Sequence, residues 1–149
     1  MINWYPQEQR ASCVAACVRM VLSGFGQTLT EKRIRRALGQ SPLGLSLEKA
    51  CQRMQQNGTR ATWHDDWGVM DLRDCLRDGW FPIVGIERRL FGHVDVLHAI
   101  VLLEISSQSV SAFDPLGSAQ AEAFNLQTFE LAWNSAGRQA LVIKTPFTL

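Results

Sequence analysis

The apolar residues of this chain change their spacing at Gly79, and that switch constrains the fold more than any other feature. Before it, they recur at helical intervals. Leu47, Ala50, Cys51 and Met54 mark i, i+3, i+4 and i+7, and Ile34, Ala37 and Leu38 share one helical face. After it come runs of strand type: Gly79-Trp80-Phe81-Pro82-Ile83-Val84-Gly85-Ile86, then Val96 to Ile105, then Ser109 to Phe113. Helices first and strands second imply an α+β architecture. A length of 149 residues suits one core. The expectation is a single domain over 1–149, with a helical half at about 1–78 and a sheet half at about 79–149.

Local signals place the elements. Cys13 opens a run of Val, Ala, Cys, Met and Leu that reads as a buried helix over 13–23, punctuated by Gly24 and Gly26. Thr28 or Thr30 caps a helix that Gly39 closes after Leu38. Ser46 starts a third helix, stopped at Asn57-Gly58. An extended piece, Thr59 to Trp63, leads to a loop at His64-Asp65-Asp66-Trp67-Gly68 and a short helix from Met70 to Arg77. Glu87 to His93 reads as a loop. The Val96–Ile105 run suits a strand buried on both faces. Asp114-Pro115 ends the strand after it. A helix around Leu126 to Trp133 and a strand from Gln139 to Lys144 follow.

The net charge of +1 gives no electrostatic case for nucleic acid. No apolar run approaches the roughly 20 residues of a membrane span. The first residues lack the basic-then-apolar pattern of a signal peptide, so the expected location is the cytoplasm, with secretion by a signal-peptide-independent route as the alternative for an effector. The four cysteines, Cys13, Cys17, Cys51 and Cys75, include no Cys-x-x-Cys pair, and neither a disulfide framework nor a metal is expected. His64 beside Asp65 and Asp66 reads as a solvated loop. No cofactor is called for.

A thiol attacks as thiolate, and a helix N-terminus together with an imidazole lowers its pKa. Cys13 has the helix position; Cys17, one turn deeper, reads as core. His98 starts the buried strand, where an imidazole needs partners for its ring nitrogens. Asp114 ends the next strand. If residues 106–108 form a three-residue hairpin loop, Ile105 faces Ser109 and Asp114 becomes a diagonal neighbour of His98, roughly 7–8 Å away between backbones. An even, regular connection would put the two side chains on opposite faces. The roles that follow are Cys13 as nucleophile, His98 as base and Asp114 as its orienting partner. His93, in the loop before, is the lesser candidate base. Gln7, six residues before Cys13, can offer an amide to an oxyanion, with Gln9 as competitor.

These residues resemble papain-like cysteine peptidases, in particular the bacteriocin-processing peptidases that remove double-glycine leaders. The likeness rests on Gln7, Cys13, Ala15-Ala16-Cys17 and Met20, then Gly79-Trp80-Phe81-Pro82-Ile83-Val84, His98 and Asp114-Pro115, in that order. Ser12 and Val14 depart from the acidic residue and glycine that usually flank the family's cysteine, and Ala99 from the bulky residue after its histidine. The resemblance implies a papain-like fold, with the cysteine on a central helix of the helical half and an antiparallel sheet in the C-terminal half. It also implies a cysteine peptidase cutting after small or double-glycine residues. The expected partner is a peptide or protein substrate, with a separate exporter or secretion component where transport is coupled. Two alternatives stay open: a deamidase or transglutaminase-like effector acting on Gln side chains, and a non-catalytic module that binds a leader-like peptide.

Overall fold

A computed structural model of the chain describes residues 1–91 and 97–148. The elements in order are α1 (Cys13–Ser23), α2 (Glu31–Leu38), α3 (Leu47–Gln56), β1 (Ala61–His64), α4 (Val69–Arg77), β2 (Ile83–Glu87), a 3-10 turn (Arg88–Phe91), β3 (Leu97–Ile105), β4 (Ser109–Phe113), β5 (Glu122–Asn125), α5 (Leu126–Ser135) and β6 (Ala140–Ile143). The strands form one six-stranded sheet in the order β1-β6-β2-β3-β4-β5. Every pairing in it is antiparallel. No helix among the described residues is long and apolar enough to cross a membrane.

The helix caps follow the local chemistry. The Thr30 hydroxyl accepts from the Arg33 N–H, and the Ser46 hydroxyl from the Lys49 N–H. Gly39 ends α2 in the left-handed conformation, at φ 68°, which favours glycine. α1 is buried almost all round, through Val14, Ala15, Ala16, Cys17, Val18, Met20, Val21 and Leu22. Such a helix has no solvent face and must sit inside the molecule.

Helices cover both faces of the sheet. Val101 and Ile83 pack with α1, α2 and α3 through residues such as Met20, Ile34, Leu38 and Met54. Ile100, Leu102 and Val84 pack on the opposite side with Leu72 of α4 and with Phe129 and Trp133 of α5. Successive residues of β3 therefore enter different cores, which is why its apolar run is continuous rather than alternating. The helical and sheet halves interleave more than the change of period implies. β1 comes from the first half of the chain and pairs with β6, from the last, in the register Ala61↔Ile143. β5 has no period-2 signal in the sequence: Glu122-Ala123-Phe124-Asn125 sets its two apolar residues side by side, and every residue of it is partly or fully exposed.

The β3–β4 hairpin corrects the expected connection. Ser106 N–H donates to the Ser109 carbonyl at 2.8 Å and the two hydroxyls lie 2.8 Å apart, so Ser106 stands opposite Ser109 and residues 107–108 form the tip. Ile105 faces Val110, not Ser109, and Glu104 faces Ser111. The connection is thus even. The ladder is not regular, however: between Leu102 and Glu104 the register shifts by one residue. Beyond this bulge, Leu102 faces Ala112 and Val101 faces Phe113. That is the register a three-residue loop would have produced, and one step further it sets Asp114 opposite Ile100, diagonal to His98.

Candidate active site

Cys13 is the first residue of α1 and is partly exposed, whereas Cys17, Cys51 and Cys75 are buried. Ser12, in front of it, holds the position of an N-cap but does not cap the helix. Its side chain faces away. The Ser12 hydroxyl accepts from the Gln9 N–H at 2.9 Å and lies 3.0 Å from the Gln9 carbonyl and 3.1 Å from Glu31 Oε1. The first N–H groups of α1 are therefore not consumed by a side-chain cap, and the positive end of the helix is left for the thiol and its surroundings.

His98, the second residue of β3, is 5% exposed. Its Nε2 lies 2.6 Å from Asp114 Oδ1. That bond leaves Nδ1 as the ring nitrogen available to Cys13. Burial works against charge at all three groups, and their mutual interactions outweigh it. For Cys13, burial would raise the pKa, but the His98 imidazole and the N–H groups of Ala99 and Val14 bring it below the usual thiol value. For His98, burial would lower the pKa, but bonding and charge from Asp114 and Cys13 carry it up to about 9. For Asp114, burial is opposed by His98, the Leu116 N–H and the Arg88 charge, and its pKa falls below the usual carboxylate value. The set favours thiolate, imidazolium and carboxylate together.

The segment before α1 is tied to the turn after β4. The Trp4 indole N–H donates to the Asp114 carbonyl at 2.8 Å, and the Gln7 N–H to the Pro115 carbonyl at 3.0 Å. Asp114 Oδ1 also accepts the Leu116 N–H at 2.8 Å. The Gln7 side chain donates to the carbonyls of Gln9 and Arg10, at 2.9 and 3.0 Å, and its Oε1 is buried without a partner among the described residues. To reach an oxyanion, the Gln7 amide has to release one of those two bonds.

Cys13 and His98 open onto a cleft of about 720 Å³. Ala99 and Gly85 also line it, as do the segment from Pro42 to Leu47, Leu97 and Leu116, with Arg10 and Gln139 as polar members. Leu43, Leu97 and Leu116 are 96%, 66% and 48% exposed, so the cleft carries an apolar rim of the kind that binds a chain or a partner.

The remaining candidates fall elsewhere. Burial pushes the Cys17 thiol well above its ordinary value, raises that of Cys51, and takes Cys75 up to about 12. His64 stacks on Trp67 at 3.9 Å and lies 3.0 Å from the Thr62 hydroxyl, away from Cys13. His93 lies outside the described residues. Among the described residues, no group of three or more His, Cys, Asp or Glu side chains is placed to hold a metal ion. Sequence reasoning missed Glu31, which is fully buried and reaches the loop before Cys13. A Glu one residue after the Thr30 cap reads as an ordinary first-turn acid, and nothing local marks it out.

Comparison with known proteins bears out the resemblance drawn from the sequence. Residues 1–66 match the peptidase C39 family. No curated protein sequence matches the chain. The fold is similar to that of a C39-like peptidase from Bacillus anthracis, with a TM-score of 0.79 at 14% identity, over 99% of each chain. It is similar to the peptidase domain of Streptococcus ComA, a bifunctional ABC transporter involved in quorum sensing, with a TM-score of 0.76 at 16% identity, over 95% of this chain and 96% of that one. It is also similar to a double-glycine motif protease from an AMS/PCAT transporter, solved with its leader peptide, with a TM-score of 0.73 at 16% identity, over 97% and 93%. The chain therefore has the papain-like α+β fold of these peptidases.

Proposed function

We propose that the protein is a cysteine peptidase in which Cys13 is the nucleophile, His98 the general base and Asp114 the residue that orients and charges His98. The observation that carries this reading is the arrangement at the mouth of the cleft. A partly exposed thiol on the first turn of α1 meets an imidazole whose other nitrogen is held 2.6 Å from a buried carboxylate. In the reaction, His98 already holds the Cys13 proton and the thiolate attacks the scissile carbonyl carbon. The oxyanion lies against the Cys13 N–H, which has no partner within the helix, with the Gln7 amide as a second donor once it leaves a loop carbonyl. Collapse expels the amine, which takes the proton from His98 and leaves a thioester on Cys13. Water, deprotonated by His98, then releases the acid.

The apolar rim suits a peptide substrate. The likeness to a double-glycine motif protease makes a leader ending in two glycines the first substrate to try. Four free cysteines suit a reducing compartment such as the cytoplasm. The test is a cleavage screen with purified protein, a double-glycine leader peptide against unrelated peptides, read by mass spectrometry. Cleavage that disappears in Cys13→Ala supports the reading. A gain of one dalton on a Gln side chain, with the backbone intact, would instead identify a deamidase.

A further inference from the structure

Glu31 is a fully buried charged residue on α2, and the catalytic scheme does not use it. A carboxylate is costly to bury unless every oxygen is well partnered. Here each one is. Oε2 accepts from Arg35 Nε at 3.0 Å, one turn along the same helix. Oε1 accepts from the Glu8 N–H at 2.9 Å and faces the Ser12 hydroxyl at 3.1 Å. Around this pair, Glu8 lies 4.0 Å from Arg35 and 3.4 Å from Arg19 of α1. One carboxylate from another helix thus grips both ends of the segment 8–12 that runs straight into Cys13.

The consequence lies in the orientation of Ser12. A serine at this position ordinarily turns its hydroxyl inward to accept N–H groups of the first helical turn. Held by Glu31 and Gln9, this one faces out of the helix. The N–H groups of that turn then stay available to sulfur and substrate.

We propose that Glu31 is a positioning residue for the nucleophile: through Ser12 it keeps the amino end of α1 uncapped and seats the Cys13 sulfur against His98. This rests on the reading of Cys13 as the nucleophile. Glu31 acts by geometry, not by its charge, because Arg35 Nε, 3.0 Å from its carboxylate, neutralises that charge. The two mechanisms have opposite signs. Removing a nearby negative charge would lower the thiol pKa, whereas unseating the sulfur from His98 and the helix end raises it.

The experiment measures Cys13 alkylation by iodoacetamide against pH, with peptide kinetics, in the wild type, Glu31→Met and Glu31→Met with Ser12→Ala. Glu31→Met removes both acceptor oxygens with little change in volume and frees the Ser12 hydroxyl to turn in and cap α1; the second variant removes that hydroxyl as well. Expected in Glu31→Met are an inflection at higher pH, a kcat lowered by about tenfold or more, and a KM within about twofold, because misplacing a reacting atom costs rate more than binding. In the double variant the inflection returns toward the wild-type value, and a double variant no closer to the wild type than Glu31→Met would overturn the part given to Ser12. In Glu31→Met, an unchanged inflection with a lowered Tm would overturn the proposal, as would an inflection moved to lower pH. Loss of the native fold in both variants would also overturn it, since Glu31 would then be supporting the fold and not seating the thiol. The wild-type curve is the control on the underlying reading: if its Cys13 labels no faster than Cys51 and Cys75, the nucleophile itself is misassigned.

Discussion

Asp114→Asn isolates the charge of the His98–Asp114 pair from its shape. The asparagine carbonyl can still accept both the His98 Nε2–H and the Leu116 N–H, which now meet at Asp114 Oδ1 at 2.6 and 2.8 Å. The ring orientation is kept and the charge is lost. A hydrogen bond to a charged partner is worth about 1.5–3 kcal/mol and a neutral one about 0.5–1.5 kcal/mol, so the substitution removes about 1–1.5 kcal/mol of support for the imidazolium. At 1.36 kcal/mol per tenfold, that is a loss of about five- to tenfold in kcat/KM. Asp114→Ala removes the whole bond, and the loss rises to about ten- to 150-fold. The pH profile carries the sharper test. His98 stands at about 9, raised against burial by Asp114 and Cys13. Without the carboxylate the imidazolium is less stable, its pKa falls, and the alkaline limb of kcat/KM moves to lower pH. Steady-state assays on one peptide across pH 5–10 measure both quantities. If the alkaline limb of Asp114→Asn stays at about 9, or Asn and Ala lose the same activity, the coupling of Asp114 to His98 is not what drives the reaction.

Other consequences are open to measurement. At mildly acidic pH iodoacetamide labels Cys13 first, since its pKa is lowered while those of Cys17, Cys51 and Cys75 are raised; peptide mapping of the modified protein reads the order. The wild-type pH–rate profile is bell-shaped, with an acid limb below the ordinary thiol value and an alkaline limb at about 9. Trp133→Ala, which empties the core beneath β2 and frees the Gln139 carbonyl from its 3.0 Å bond to the indole, costs about 3–5 kcal/mol of stability in urea melts. Cys17→Ala costs about 1 kcal/mol and leaves kcat unchanged, because that thiol is sealed in the core.

Cys13, His98 and Asp114 could be chosen from the sequence because each stands out against its neighbours. A thiol opens an apolar helix, an imidazole sits in an apolar strand, and an Asp-Pro ends the next one. Their convergence was reached through a loop length that the structure corrects. Two departures, an even connection in place of the odd one and the bulge between Leu102 and Glu104, cancel in the register. A bulge has no dependable local signature in a run of Ile, Val and Leu, since all three fit either face of a strand buried on both sides.

What the sequence determined by itself was the local order: which segments are helical or extended, where Thr30, Ser46 and Gly39 bound them, and which residue types are chemically out of place. Those properties depend on near neighbours in the chain. The tertiary structure alone decided that β1 joins β6, that the register returns to bring Asp114 to His98, and that Glu31 reaches across from α2 to hold Ser12 away from its own helix. These depend on contacts between residues distant in the chain, where the desolvation of a carboxylate or the pairing of an edge strand is settled by whatever the fold brings alongside.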